Sequence, residues 1–509
     1  MTRIAILADM HLTDNAATAQ WAAFNDAVQT IASDRPDIVV FAGDATAYGN
    51  LNAARAVRES LDALSILFVS TPGNADIRDS KTSETVHALL TTDSVHTGDI
   101  IVHPLDSSEE ISMDALDGLE ALCRDHQQQT IVIVTHCPIE SMANDARKRI
   151  AALLDSGSIS LLIAGHTHRD EFRPYQIGVE CVVRGLDPEK AIGGPPCLTL
   201  LTNDGAQRWT RQDVPFSAGD FLNLTADEKM ALKRRIGLCA LAEPDETLDY
   251  AIENSIDGIE LRHNEKTDWT TATIEKLNRW RASGDRILSY HLPDIQFNPE
   301  DGRVENDSKF QHEIKKAAAL GVQQLTLHVP DLPVALMRDS SPIRARALDY
   351  CVQSLSSADT QTMRIGIENM HLSEGQPSGH QRRFGCLPDE CLDWIASLRA
   401  ALGNERVGAL IDIGHARNNP PFSKRIAISD WMSQLGGIAV GCHIHQVERT
   451  DAGLKNHREI HSAYGPLISL SGLVWSCRTK QLRDCPLFIE VRGFDARVRS
   501  YRKLVSALD

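Results

Sequence analysis

From Arg235 onward the chain repeats one unit eight times, a short apolar run rich in Val, Ile and Leu followed by an amphipathic stretch. The runs fall at 236–241, 258–261, 287–291, 325–329, 365–368, 408–413, 438–443 and 487–491, and clear helical periodicity occupies 309–320, 343–354, 390–401 and 496–507. Strands separated by helices must pair in parallel, because the crossover returns the chain to the same edge of the sheet. Eight such units in about 275 residues have the size and repeat of a (β/α)₈ barrel. A barrel of this kind gathers its chemistry at the carboxyl ends of its strands, so polar residues should end these runs, and they do.

The preceding residues have a looser α/β rhythm. Strands are expected at 3–8, 37–42, 66–70, 130–135 and 159–164, alternating with amphipathic helices. The pattern fades beyond Pro195, where Asn203-Asp-Gly205 reads as a turn and Ser217-Ala-Gly-Asp220 as a loop. The expected organisation is a first domain over 1–215, a linker over 216–234 and the barrel over 235–509. The 509 residues accommodate both.

Composition narrows the partners. Lys and Arg number 52 against 69 Asp and Glu, a formal charge of −17, so the average surface repels polyanions and nucleic acid is disfavoured. The eleven cysteines form no Cys-x-x-Cys pair, which fits buried thiols in a reducing compartment. No stretch reaches the roughly 18–20 apolar residues of a membrane span, and the N-terminus has no signal-like apolar run. A cytoplasmic protein with no membrane partner is expected.

In the first domain, residues of metal-ligand type follow successive strands: Asp9-Met-His11, Gly43-Asp44, Gly73-Asn74-Ala75-Asp76, His136 and Gly165-His166-Thr-His168. One Asp-x-His arises by chance; five ordered hits, each after an apolar run, do not. This set resembles the calcineurin-like metallophosphoesterase family, whose fold is a sandwich of mixed β sheets flanked by helices. The resemblance implies two divalent ions (Mn, Fe, Zn or Co), with Asp9, His11, Asp44 and His168 around one and Asp44, Asn74, His136 and His166 around the other. Asp44 would bridge them, an arrangement that clamps phosphoryl oxygens and activates water. The family pattern places a His after the Asn, where this chain has Ala75. Leaving-group protonation would then fall to another acid, with Asp76 the nearest in sequence. Asp44, Asn74, Asp76 and His136 are the expected catalytic residues.

The barrel runs end in His291, His328, Glu368, Asp412 with His415, His445, Glu459 with His461, and Glu490. Carboxylates and imidazoles at a barrel mouth point to metal. This half resembles the xylose-isomerase-like TIM barrel superfamily, which includes sugar isomerases and epimerases and nucleases of the endonuclease IV type. The isomerase pattern implies one divalent ion on Glu368, Asp412, His445 and Glu490. The nuclease-like pattern adds His291, His328, His415, Glu459 and His461 to build a three-zinc cluster. The surplus of donors favours three zinc ions, with Glu368 and Glu490 catalytic. His443 is expected to turn away from His445 into packing or a supporting hydrogen bond, and His371 and His457 to lie at the surface. Arg169, Arg184, Arg382 and Arg383 are the arginines considered as phosphate clamps.

Together these readings give a bifunctional metal-dependent hydrolase of small phosphodiesters of sugar or glycerol type. The first domain would cut the diester and the barrel would hydrolyse the resulting monoester. One alternative makes the barrel a sugar-phosphate isomerase or epimerase; another is a DNA-repair nuclease, which needs a basic track that Lys233-Arg-Arg235 and Lys315-Lys316 do not supply.

Overall fold

Alternation along β1 (Thr2–Leu7) sets the architecture of the first unit: Ile4 and Ile6 face one apolar core and Ala5 and Leu7 another. A strand buried on both faces needs a layer on each side. The computed structural model, which describes residues 2–204, 208–262, 270–357, 360–377, 379–420, 422–451 and 453–509, supplies both layers. It divides into two compact units, one of residues 1–220 with 424–426 and 469–472, the other of the remaining residues.

The further strands of the first unit are β2 (Ile38–Ala42), β3 (Leu67–Thr71), β4 (Val95–Thr97), β5 (Ile100–Pro104), β6 (Thr130–Val134), β7 (Leu161–Ala164), β8 (Glu171–Pro174), β9 (Val179–Val182), β10 (Cys197–Asn203) and β11 (Trp209–Pro215). One sheet has the order β11-β10-β1-β2-β3 and the other β4-β5-β6-β7-β9-β8. Ile4, Ile6 and Val40 of the first pack with Val132, Val134 and Ile163 of the second. The outer faces carry helices: Ala19–Asp34 and Leu51–Ala63 on one side, Met113–Asp125 and Asn144–Asp155 on the other. Both sheets are mixed, since β1 pairs in parallel with β2 and antiparallel with β10, and β9 in parallel with β7 and antiparallel with β8. The expected parallel strands are present; β4, β8 and β9 are short and β11 is largely polar, whereas β5 and β10 are buried apolar runs that lay outside the expected set.

In the second unit β12 (Ile236–Ala240), β13 (Gly258–Arg262), β14 (Ile287–His291), β15 (Gln324–His328), β16 (Arg364–Glu368), β17 (Val407–Asp412), β18 (Ala439–Ile444) and β21 (Leu487–Ile489) close into an all-parallel barrel. Between β18 and β21 lies a hairpin of β19 (Gln446–Thr450) and β20 (Gly453–Arg458), which the strand–helix rhythm did not foretell. The segment 216–234 holds most of a helix, Ala226–Arg235, that runs directly into β12. A capping box starts it: Glu228 N–H donates to the Thr225 hydroxyl (3.2 Å) and Thr225 N–H to Glu228 Oε2 (2.8 Å). Among the described residues no helix is long and apolar enough to cross a membrane, and all eleven cysteines are free.

Candidate metal centres

In the first unit, Asp9, Asp44, Asn74, His136 and His166 each follow the carboxyl end of a parallel strand, namely β1, β2, β3, β6 and β7. The chain must turn sharply there to present a side chain to the shared pocket. Asp9, His11, Asp44, His166 and His168 accordingly have left-handed backbone, with φ between 48° and 73°. Such conformations cost of order 1–3 kcal/mol each in a non-glycine residue, and they persist where surrounding structure over-determines them. Gly43 (φ +83°) makes the turn before Asp44, and a Cβ there would stand 2.5 Å from His136 Nδ1. Only glycine lets that imidazole sit flush against the strand end.

The donors form two adjoining groups. Asp44 Oδ2 lies 3.5 Å from His11 Nε2 and 3.4 Å from His136 Nε2, between the groups, while Oδ1 accepts Ala75 N–H at 2.7 Å. On one side His11 and His168 Nε2 are 3.3 Å apart, and Asp9 Oδ1 is 4.0 and 3.9 Å from them. On the other, Asn74 Oδ1 is 3.1 Å from His136 Nε2 and 3.2 Å from His166 Nδ1. His136 donates its Nδ1 hydrogen to the Ala42 carbonyl (3.0 Å), which leaves Nε2 with a lone pair facing Asp44. Asp9 Oδ1 is buried with no hydrogen-bond partner, while Oδ2 accepts His166 N–H (2.8 Å). Burial raises the Asp9 carboxyl to about 8 and holds His11 well below its usual range. A divalent cation fits this set: it would satisfy the orphaned oxygen and favour ionised carboxylate beside neutral imidazole.

Asp76 does not join the group. Its carboxylate accepts the N–H groups of Ala45 (3.2 Å), Thr46 (2.8 Å) and Gly73 (2.9 Å) and the Thr46 hydroxyl (2.9 Å). It braces the loops after β2 and β3, and the expectation that it serves as the free acid is corrected: its oxygens face backbone. Burial, with Asp44 next, still pushes it up to about 6. Sequence reading passed over Arg78 and Lys190, whose charges help to hold His11 down.

The barrel mouth brings together His291, His328, Glu368, Asp412, His415, His445 and Glu490, as expected, and adds His443, His457 and Glu260. His443 is the centre. Its Nδ1 lies 3.2 Å from Glu368 Oε1, 3.1 Å from Glu490 Oε2 and 3.8 Å from Asp412 Oδ2, and these four residues can converge on one point. Its Nε2 hydrogen goes to Glu260 (2.6 Å), whose other oxygen accepts from Ser289 (2.8 Å) and Thr326 (2.7 Å). The expectation for His443 was wrong because residues two apart on a strand share a face. His445, just beyond β18, points inward as well, 3.1 Å from Asp412 Oδ1.

Glu368 spans two groups. Its Oε2 reaches His291 Nε2 (2.8 Å) and His328 Nε2 (3.3 Å), while Oε1 faces His443 and His415 (3.5 Å). His291 donates Nδ1–H to the Leu292 carbonyl (2.8 Å) and His328 pairs its Nδ1 with Asp294 (2.5 Å), so both present Nε2 inward. A third group is His445, His457 and Glu490, with His457 Nδ1 3.5 Å from Glu490 Oε2. Arg262 ion-pairs with the other Glu490 oxygen. Burial opposes charge throughout, but His328 and His443 hold Glu368 well below the usual carboxylate range. The carboxylates of Glu260, Glu490 and Glu368 hold His443 well above that of a free imidazole.

Two expected ligands stay outside the cluster. Glu459 is clamped by Arg499 (2.9 and 2.7 Å), and the side chain of His461 is 75% exposed. Their Glu-x-His spacing follows β20, and the hairpin delivers His457 to the site instead. His371, expected at the surface, packs its ring 4.7 Å from that of His415, and burial lowers it to about 3. His457 is lowered by burial to about 4. Periodicity cannot locate residues on an inserted hairpin; for Glu260, an inward acid within β13, the signal was a charge inside an otherwise apolar run.

The family model of calcineurin-like phosphoesterases matches residues 2–170, and that of the xylose isomerase-like TIM barrel matches residues 248–504. Similar solved structures include a D-tagatose 3-epimerase-like protein, 17% identical over 54% of this chain and 97% of that one, TM-score 0.41. A putative xylose isomerase from Rhodospirillum rubrum is 18% identical over 54% of this chain and 98% of that one, TM-score 0.41. A protein from Thermus thermophilus, soaked with ZnCl2, is 20% identical over 53% of this chain and 98% of that one, TM-score 0.35. No curated protein matches the chain.

Proposed function

We propose that this chain, which belongs to the xylose isomerase-like TIM barrel family and carries a calcineurin-like phosphoesterase domain ahead of its barrel, is a two-headed metal-dependent phosphoester hydrolase. The first domain would cleave a small phosphodiester and the barrel the monoester that results. Asp9, His11, Asp44, Asn74, His136, His166 and His168 would hold two cations. In the barrel the nine side chains His291, His328, Glu368, Asp412, His415, His443, His445, His457 and Glu490 would hold up to three. Divalent cations there would supply Lewis acidity and neutralise charge developing at phosphorus.

The observation that carries this reading is carboxylate sharing. Asp44 Oδ2 is poised between two imidazole groups, and Glu368 offers one oxygen to His291 and His328 and the other to His443 and His415. A carboxylate so placed would be able to serve two neighbouring cations, an arrangement suited to in-line displacement at phosphorus. The chain's own residues do the rest: hydrogen bonds to Ala42, Leu292 and Asp294 fix imidazole orientation, and Arg78 and Lys190 add positive charge near the first pocket. With Ala75 in place of a His, the first domain suits leaving groups that need little protonation.

One observation favours a second reading of the barrel. Glu368, Asp412, His443 and Glu490 make a complete four-ligand site, and two carboxylates beside one cation could shuttle a proton on a sugar. Metal content separates the two: the isomerase reading expects about one cation in the barrel, the hydrolase reading up to three. The functional test incubates metal-loaded protein with sugar and glycerol phosphodiesters and measures monoester and inorganic phosphate separately. Glu368→Ala should abolish phosphate release while sparing monoester formation; persistent phosphate release would remove the barrel from the pathway.

A further inference from the structure

His457 belongs both to the barrel cluster and to the wall of a cavity of about 700 Å³. The hairpin β19–β20, the loop 465–467 and the segment after β21 enclose it, with Val447, Pro466 and Leu467 among its apolar lining. The shape is held in place. His457 (φ 58°) and Leu467 (φ 68°) are non-glycine residues with left-handed backbone, and Gln446 pins the loop by donating to the Pro466 and Ile468 carbonyls. Strain of this kind marks sites where shape matters more than local stability.

The charge of the cavity is the informative feature. Its two acids are already matched, Glu448 with Arg458 (2.5 Å) and Glu459 with Arg499 (2.7 Å). Two further arginines of the lining, Arg449 and Arg492, have no side-chain hydrogen bond or ion pair among the described residues. By contrast Arg184, Arg382 and Arg383, considered above as phosphate clamps, are bound to Asp170, Glu390 and Asp331. On a chain of net charge −17, two unmatched guanidiniums over an apolar floor beside a cation cluster fit an anion.

We propose that this cavity binds the part of the substrate remote from the reacting phosphate, and that Arg449 and Arg492 select phosphoesters with an apolar segment ending in a second anionic group. The inference rests on the reading of the barrel as acting at phosphorus. A neutral polyol phosphate would leave both guanidiniums unmatched and the apolar lining uncovered.

Two non-hydrolysable probes differing by one carboxylate test it: benzylphosphonate and 4-carboxybenzylphosphonate. They are titrated calorimetrically into metal-loaded full-length protein in an Asp44→Ala background, which silences the first pocket. The carboxylated probe should bind about tenfold more tightly, and Arg449→Gln with Arg492→Gln should remove that advantage while changing benzylphosphonate affinity less than about threefold. Both arginines are exposed, so the double variant should fold, and circular dichroism checks that it does. Equal affinities, no binding of the carboxylated probe, or an advantage that survives the double variant would each overturn the proposal. Hydrolysis of the matching benzyl phosphates is read separately. A binding preference without barrel turnover keeps the anion-selective cavity but removes the hydrolase reading on which its substrate role rests; turnover without preference overturns the inference alone.

Discussion

Five of the seven donors of the first pocket, Asp9, His11, Asp44, His166 and His168, have left-handed backbone, whereas in the barrel cluster only His457 does. The electrostatics differ in parallel. In the first pocket burial raises Asp9 to about 8 and lowers His11 and His166, whereas His136 is raised, burial being outweighed by the Asp44 and Asp9 carboxylates. In the barrel opposite charges outweigh burial at most positions: His328 and His443 lower Glu368, His443, His457 and Arg262 lower Glu490, and carboxylates raise His443 and His328, while burial still lowers His457 to about 4. One pocket is organised by strained turns between two sheets, the other by regular strand ends whose side chains interlock as ion pairs. Crowded donors can thus be preorganised through the backbone or through the side chains, and the two pockets should fail in different ways.

The largest expected effect comes from removing the shared donor of the backbone-built pocket. Asp44→Ala should lower diester cleavage by more than the about 10–100-fold typical of a supporting residue and remove cations from the first domain, with barrel metal content unchanged by elemental analysis. Loss of barrel metal in that variant would break the separation. Next, Glu260→Gln weakens the anchor that orients His443. Barrel cation affinity should fall about 10–100-fold, measured by competition with a chelator, while diester cleavage is kept.

Asp76→Asn sharpens the contrast within the first domain. A brace that accepts backbone N–H groups should cost roughly 1–3 kcal/mol of stability on replacement, read as a lowered Tm, with the pH profile of diester cleavage unmoved. Loss of the alkaline limb of that profile, the limb a required acid sets as it ionises, would return Asp76 to the role of proton donor. The smallest effect is the opposite sign of two carboxyls in metal-stripped protein. Asp9, raised from 3.8 to about 8, keeps a proton in the folded state that the unfolded chain has released. Its contribution is therefore full below about pH 4 and declines as pH rises from about 4 to 8, and Asp9→Asn should flatten stability across that interval. Asp294, lowered to about 2 by its bond to His328, contributes above its ordinary value and loses that contribution as pH falls from about 4 towards 2, a limb that Asp294→Asn should remove. Domain-resolved hydrogen exchange reads both.

The barrel was legible strand by strand because parallel strands are apolar on both faces and stand out against helices; expected and observed strands differ by a residue or two at their ends. The first domain was half legible. β1, β2, β3, β6 and β7 showed, but the parallel β5 and β9 did not; β8 and β11 are partly exposed, and such strands resemble loops until a partner pairs with them. Among site residues the same divide holds. Asp9, Asp44, Glu368 and Asp412 follow apolar runs and were found; His457 lies on the inserted hairpin, and Glu260 inside a strand, and they were not.

The order of strands, the two-domain plan and the donors at strand ends follow from local pattern, since periodicity and turn chemistry act over a few residues. Which donors meet, His443 and His457 with Glu490 while Glu459 turns to Arg499, is decided in three dimensions. A side chain's partner depends on the curvature of the closed barrel and the fold-back of the hairpin, and both are set by residues far away in the chain.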